Sequence, residues 1–149
     1  MVHTQGELAQ SIAVAAHKGQ VDKAGMPYIE HPAHVAASVQ GDVAKAVAWL
    51  HDVVEDTPLT LADLRGKGVA PEVVEALKLL THDESVPYLE YVRSLKSNPL
   101  ACAVKLADLR HNSDLSRLPR ITEKDQRRAE KYAKAIAILE GEGPEGGEQ

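Results

Sequence analysis

The segment that follows Asn98-Pro99 constrains the fold more than any other part of the sequence. Asparagine before proline is typical of a helix cap and first turn, and the pattern predicts a helix ending near Leu118. Its apolar side chains point in nearly all directions around the helix axis: Leu100, Cys102, Ala103, Val104, Leu106, Ala107 and Leu109. A helix that is apolar around most of its circumference is buried. We therefore expect a buried central helix.

Signals for helix boundaries recur along the rest of the chain. Thr4 and Glu7 have the spacing of a capping box, and Thr122 precedes a highly charged helical segment. The other helices are predicted to begin near residue 31 and to cover about 42–56, 60–65, 71–81 and 87–96. No segment has a convincing strand pattern. The prediction is an all-α fold of about seven to eight helices, with one domain over residues 1–140 and a disordered, acidic, Gly-rich tail over 141–149.

Composition limits the core and the partners. Hydrophobic residues make up 44% of the chain but aromatic residues only 3%, without Phe, so Ala, Val and Leu must form closely packed helices. A net charge of −5 argues against a broad nucleic-acid or anionic-membrane surface, although a local positive site for a small anion stays compatible with it. The single cysteine, Cys102, and the lack of a long apolar run lead us to expect a cytoplasmic protein with no membrane partner.

Four polar residues lie together at the end of the helix predicted over 42–56. His51-Asp52 is followed by Glu55-Asp56 one turn later, on the side opposite a broad apolar arc. The simpler interpretation is the solvated face of an amphipathic helix. However, three carboxylates lie there without a Lys or Arg partner in the same two turns. The alternative is that the cluster binds a cation.

The central helix carries a narrow polar stripe of Lys105, Asp108 and Asn112. A carboxylate on a buried helix must be paired, protonated or bound to a metal, because an isolated buried charge costs several kcal/mol. Lys105 is one possible partner for Asp108. A metal ion shared with the His51-Asp52 cluster is the other, provided that the two helices face each other.

A further ligand is available at the start of an earlier helix. His31 precedes Pro32, and three acidic or histidine groups elsewhere raise the chance that it binds the same ion. We interpret His3, His17, His34 and His82 as non-ligands, with His17 and His34 possible neighbours of the site. His111 lies on the apolar side of the central helix, which favours a hydrogen-bonded core histidine.

Four stretches, in this order, resemble the HD-domain hydrolases of the RelA/SpoT type, including the small stand-alone alarmone hydrolases. They are AHKGQ (16–20), KAGMPYIEHP (23–32), HDVVEDT (51–57) and VKLADLRHN (104–112). The resemblance implies a compact HD-domain helical bundle and one divalent metal, most often Mn²⁺. The residues at its ligand positions are His31, His51, Asp52 and Asp108. Two histidines and two carboxylates suit such an ion.

The resemblance also implies an activity. Glu55 and Asp56 would orient or deprotonate the attacking water, and Lys23, Tyr28 and Asn112 would contact a small phosphorylated nucleotide. The reaction would be the attack of metal-activated water on the 3′-pyrophosphate ester of (p)ppGpp.

Two positions depart from the family pattern. Asp22 and Asp114 occupy places where the family commonly has arginines, and like charges near an anionic substrate weaken its binding. The alternatives are therefore a phosphatase acting on another nucleotide, such as NADPH or a nucleoside phosphate, or a non-catalytic nucleotide-sensing module. Outside the family, the alternative is a purely structural bundle.

Overall fold

The computed structural model describes residues 4–22, 25–114 and 120–141. Its α-helices, in chain order, are α1 (Gln5–Ala16), α2 (Glu30–Ala37), α3 (Asp42–Leu50), α4 (Val53–Asp56), α5 (Leu61–Gly66), α6 (Pro71–Leu80), α7 (Tyr88–Ser94), α8 (Pro99–Asn112) and α9 (Glu123–Leu139). A 3-10 turn, Leu95–Ser97, joins α7 to α8. The described ranges contain no strand, only an isolated bridge between Val21 and Pro27. The all-α prediction is confirmed.

Helix starts follow the local capping chemistry that the sequence contains. The hydroxyls of Thr4, Thr60 and Thr122 each accept from the backbone N–H three residues later, completing capping boxes. The side chain of Asn98 accepts from the N–H of Ala101, which starts α8 beside Pro99. These bonds satisfy backbone donors that the first turn of a helix leaves unpaired.

Helices α3 and α8 form the centre of the bundle. Helix α3 packs against α1, α2, α6 and α8, while α8 also contacts α2, α6 and α9. The buried apolar side chains are almost all Ala, Val, Leu or Ile, as the composition predicts. Small alanines at these contacts let the helix axes approach closely, which brings residues from α2, α3 and α8 within reach of one another.

The central helix is less enclosed than predicted. Ala101, Val104, Ala107 and Leu109 are buried, but Ala103 is exposed. It faces a cleft of about 460 Å³ between α2 and α8, because no described helix covers that side. Helix α8 also ends at Asn112, earlier than the predicted end near Leu118.

The helix predicted over residues 42–56 is broken at His51-Asp52. Helix α3 ends at Leu50 and the short α4 begins at Val53, which explains why the described residues hold nine α-helical segments instead of eight. On an unbroken helix adjacent side chains diverge by about 100°. Because the helix is interrupted at His51-Asp52, these two side chains are not held to that angle.

Some predictions concern residues outside the described ranges. These are Lys23, most of the predicted acidic tail (residues 142–149), His3 and the predicted end of the central helix. Among the described residues, no helix has the length and apolar character required to cross a membrane.

Candidate metal centre

Four side chains from three parts of the bundle meet at one point. His31 comes from the first turn of α2, His51 and Asp52 from the break between α3 and α4, and Asp108 from α8. One ligand atom from each lies within 4.8 Å of the others. His31, His51 and Asp108 are buried, and Asp52 is partly exposed. The structure thus brings together all four residues that the sequence assigned to a metal.

The ligand atoms converge on a single space. Oδ1 of Asp108 lies 2.7 Å from Nε2 of His31 and 3.2 Å from Nε2 of His51. Oδ2 of Asp52 lies 3.2 Å from Nε2 of His51 and 3.8 Å from Nε2 of His31. Both imidazoles therefore present the same nitrogen, Nε2, to two carboxylate oxygens.

Each ligand is also fixed from its outer side. Nδ1 of His51 donates to the carbonyl of Ala48 in the last turn of α3, at 2.6 Å. The hydroxyl of Tyr28 donates to Oδ2 of Asp52. Outer hydrogen bonds of this kind set the ring orientation and the protonated nitrogen of a metal-binding histidine.

Asp108 has two different neighbours for its two oxygens. Lys105 Nζ lies 3.1 Å from Oδ2, so the ion pair considered from the sequence is present. Oδ1 faces the histidines and also accepts from Nδ2 of Asn112 at 3.1 Å. The ion pair and a metal site are therefore compatible, because they use different oxygens of one carboxylate.

The electrostatics show how strongly the cluster favours positive charge. Burial alone would lower the pKa of His51, but Asp52 and Asp108 outweigh it and raise that pKa well above its usual value. Burial would raise the pKa of Asp108, but Lys105 and His51 hold it well below the usual range. Both carboxylates thus stay ionised, and two negative charges face two imidazoles.

The donor set fits a divalent ion. Two imidazole nitrogens and two carboxylate oxygens are ligands of borderline-to-hard metals, and a 2+ charge would balance the two carboxylates. The partial exposure of Asp52 leaves an approach from solvent. This arrangement can hold one divalent ion with positions open for water and substrate.

Glu55 and Asp56 are the two exposed residues of helix α4, beside the cluster. Burial and then the charge of Asp52 raise the pKa of Asp56, and burial is also the largest cause of the raised pKa of Glu55. Oε2 of Glu55 accepts from the backbone N–H of His82 at 2.9 Å. The pKa values of both carboxyl groups are therefore shifted toward neutral pH, which suits proton transfer.

Two of the three predicted substrate contacts lie at the cluster. Tyr28 and Asn112 are both bonded to ligand carboxylates, and Lys23 lies outside the described residues. The hydroxyl of Tyr28 is thus placed to hold Asp52, a role that the sequence did not suggest. Its pKa is raised by burial and by Asp52, so the hydroxyl keeps its proton.

The other histidines separate into distinct settings. His17 is buried, with Nδ1 2.9 Å from Oε1 of Gln20 and its ring 5.0 Å from that of Tyr28. His82 bonds to the carbonyl of Val86. Neither belongs to the four-residue cluster.

Comparison with known proteins places this geometry in a family. No protein-family model matches the chain. A mouse protein, guanosine-3′,5′-bis(diphosphate) 3′-pyrophosphohydrolase MESH1, is 32% identical over 91% of this chain and 84% of its own length. The chain belongs to the SpoT/MESH1 hydrolase family. The human MESH1 protein gives the same result, at 33% identity over 89% of this chain and 82% of its own.

Other members of the SpoT/MESH1 family agree in fold and sequence. A solved structure of a metazoan orthologue of SpoT superposes with a TM-score of 0.73 at 25% identity, covering 96% of this chain and 89% of that one. The bifunctional (p)ppGpp synthase/hydrolase SpoT of Escherichia coli K12 is 38% identical over 70% of this chain. The chain matches only 17% of SpoT's length. The resemblance noted from the four sequence motifs is therefore confirmed.

Proposed function

We propose that this protein is a metal-dependent (p)ppGpp 3′-pyrophosphohydrolase, with residues 1–140 as the catalytic domain. The observation that carries the proposal is the convergence of His31, His51, Asp52 and Asp108 at one point in a chain of the SpoT/MESH1 family. The mouse and human relatives that match most of the chain are named for this reaction. Packing of a purely structural helical bundle does not require these four donor side chains to converge.

Four residues would hold the ion, and Mn²⁺ is the metal that the family resemblance implies. Bound there, a divalent ion would neutralise phosphate charge and lower the pKa of water toward neutrality. Tyr28 and Lys105 keep the carboxylates of Asp52 and Asp108 in place from the outer side. The ligands are thus oriented before any substrate binds.

The reaction adds water across the bond between the ribose 3′ oxygen and phosphorus. Glu55 and Asp56 would orient the water and accept its proton, while the ribose oxygen gains a proton to become a hydroxyl. Pyrophosphate is the second product. Asn112 is placed at the cluster and, together with Lys23 and the ring of Tyr28, would contact the nucleotide.

A second nucleotide is favoured by one specific observation. Asp22 and Asp114 stand where the family commonly has arginines, and Asp22 also has a local role. Its Oδ1 accepts from the N–H of Met26 at 3.0 Å, in a loop where Gly25 has a φ of 84°. An arginine could not accept that bond. A less charged or 2′-phosphorylated nucleotide such as NADPH is therefore the second candidate substrate.

The test is a hydrolysis panel with Mn²⁺ over (p)ppGpp, NADPH and ordinary nucleotides. Asp52→Asn should abolish activity, because it removes a ligand. Asp83→Asn is a matched control: Asp83 also follows a histidine, but it is exposed and its carboxylate accepts hydrogen bonds from the backbone N–H and the hydroxyl of Ser85. Absence of turnover on every substrate, or an active Asp52→Asn variant, would contradict the proposal.

A further inference from the structure

The outer contact of His31 differs in kind from that of His51. His51 uses the backbone carbonyl of Ala48, whereas His31 uses the side chain of His111, 80 residues away on α8. The Nδ1 atoms of the two rings are 2.7 Å apart, the ring centroids are 4.9 Å apart, and the planes differ by 16°. The rings therefore meet edge to edge in almost one plane, which is the geometry of an in-plane N–H···N hydrogen bond.

Two nitrogens at this distance must share one proton, and the cluster decides which one carries it. Nε2 of His31 faces the carboxylates and must be unprotonated to bind a metal, so the ring proton belongs on Nδ1. His31 then donates and Nδ1 of His111 accepts. The proton of His111 is consequently on its Nε2.

The alternative tautomer has a ready acceptor. Oδ1 of Asp108 lies 2.7 Å from Nε2 of His31, so a proton on that nitrogen would also be hydrogen-bonded. In that form His31 could not ligate. An acceptor at Nδ1 is what favours the ligating tautomer over this competitor.

His34 packs against the face of the His111 ring. Its ring stacks on that of His111 at 4.0 Å between centroids and 19° between planes. His34 is not one of the four residues of the cluster. It therefore offers a neighbour whose loss disturbs packing and leaves the His31–His111 bond unchanged.

We propose that His111 is a positioning residue, which accepts a hydrogen bond from Nδ1 of His31 and thereby holds His31 in the tautomer and ring plane that bind the metal. This inference rests on the metal site of the proposed function. The sequence predicted a hydrogen-bonded core histidine at position 111, and the inference gives that hydrogen bond a role at the metal site. The prediction is that the acceptor atom matters more than the volume of the side chain.

The experiment compares Mn²⁺ dissociation constants, from calorimetry, of the wild type and three variants. His111→Leu keeps bulk and removes the acceptor, and it should weaken binding by about ten- to a hundredfold. His111→Asn places an amide oxygen near the position of Nδ1 and should stay within about threefold of the wild type, as should His34→Leu. The visible absorption spectrum of bound Co²⁺ should change in His111→Leu and not in His111→Asn.

Wild-type affinity in His111→Leu would overturn the inference, as would equal weakening in His111→Asn and His111→Leu, which would indicate packing alone. If His111→Leu does not fold, the Mn²⁺ dissociation constants of His111→Asn and His34→Leu are compared. Weaker binding by His111→Asn than by His34→Leu would then overturn the inference. Failure of the wild type to bind any divalent ion would instead reject the metal site itself, and with it both this inference and the proposed function. The two failures are therefore distinguishable.

Discussion

Nζ of Lys105 lies 3.1 Å from Oδ2 of Asp108, one turn along the same helix, and leaves Oδ1 turned toward the two histidines. Lys105 also lies over the rings of Tyr88 and Tyr91, at 5.9 and 5.7 Å from their centroids. The pKa of Lys105 is raised because Asp108 outweighs the effect of burial, so the lysine stays charged. One buried carboxylate is thus shared between a permanent cation and the candidate metal.

Removing that lysine should destabilise the protein most when no metal is present. In chelator, Lys105→Met should lower the free energy of unfolding by about 3 kcal/mol, because it removes the lysine charge that pairs with Oδ2 of the buried Asp108. Added Mn²⁺ should recover part of the loss, since the metal neutralises the same carboxylate. Urea unfolding with and without the ion measures both.

The control for this prediction is Lys131→Met. Lys131 lies 4.7 Å from the centroid of the Tyr88 ring but is exposed. It should change stability by less than about 1 kcal/mol. Equal effects of the two substitutions in chelator would show that the Lys105–Asp108 pair does not stabilise the fold.

The Tyr28→Phe substitution tests whether the Tyr28 hydroxyl positions Asp52 or binds the substrate. The hydroxyl donates to Asp52, and a hydrogen bond to a charged group contributes about 1.5–3 kcal/mol. We expect weaker Mn²⁺ binding and a lower kcat, with little change in KM once the metal is saturating. A higher KM with unchanged metal affinity would instead assign the hydroxyl to the substrate.

Tyr88→Phe is the matched control for Tyr28→Phe. The Tyr88 hydroxyl is buried and has no hydrogen-bond partner among the described residues. Its removal should leave metal affinity unchanged. Both variants can be compared by calorimetry and steady-state kinetics in one buffer.

The charge of Asp22 should reduce alarmone turnover. Asp22→Asn keeps an oxygen that can accept from Met26 and removes the negative charge, so the loop bond is preserved. Less repulsion of an anionic nucleotide should raise kcat/KM for (p)ppGpp by about two- to tenfold, more at low ionic strength. A gain that is equal at low and high salt would contradict the electrostatic explanation. Asp63→Asn on α5 serves as a remote carboxylate control.

Glu55 should make the metal-free protein less stable as pH rises. Its folded pKa is raised, chiefly by burial, so the fold favours the protonated carboxyl. That contribution is present below the usual pKa of glutamate and is lost as pH rises through the raised value. In chelator, Glu55→Gln should therefore gain stability over the wild type between pH 4 and pH 7.

The expected gain is below about 1 kcal/mol, because the burial of Glu55 is only partial and solvent screens the exposed part of its charge. The amide oxygen of glutamine can still accept from the N–H of His82. Thermal unfolding across this pH range measures the difference. A difference between Glu55→Gln and the wild type that does not change across this pH range would reject the prediction.

The starts of the helices could be predicted because their causes are local. A threonine or asparagine side chain reaches an N–H three residues away, so Thr4, Asn98 and Thr122 specify their caps without help from the rest of the fold. The composition likewise determined a core of Ala, Val and Leu. The four candidate ligand residues were identifiable from motif order, since three of the four motifs supply donor types that a divalent ion requires.

Tertiary packing decided what those residues do at the site. Two contacts join segments that are distant in sequence: the bond from Tyr28 to Asp52 and the in-plane pair of His31 and His111. The break at His51-Asp52 depends on such contacts. The periodicity of residues 42–56 predicted one helix, because a local sequence pattern does not reflect contacts among α2, α3 and α8. By itself, the sequence determined the helical elements and the donor types. Only the packed bundle determined which nitrogen and which oxygen face the candidate metal site, because that depends on distances between helices.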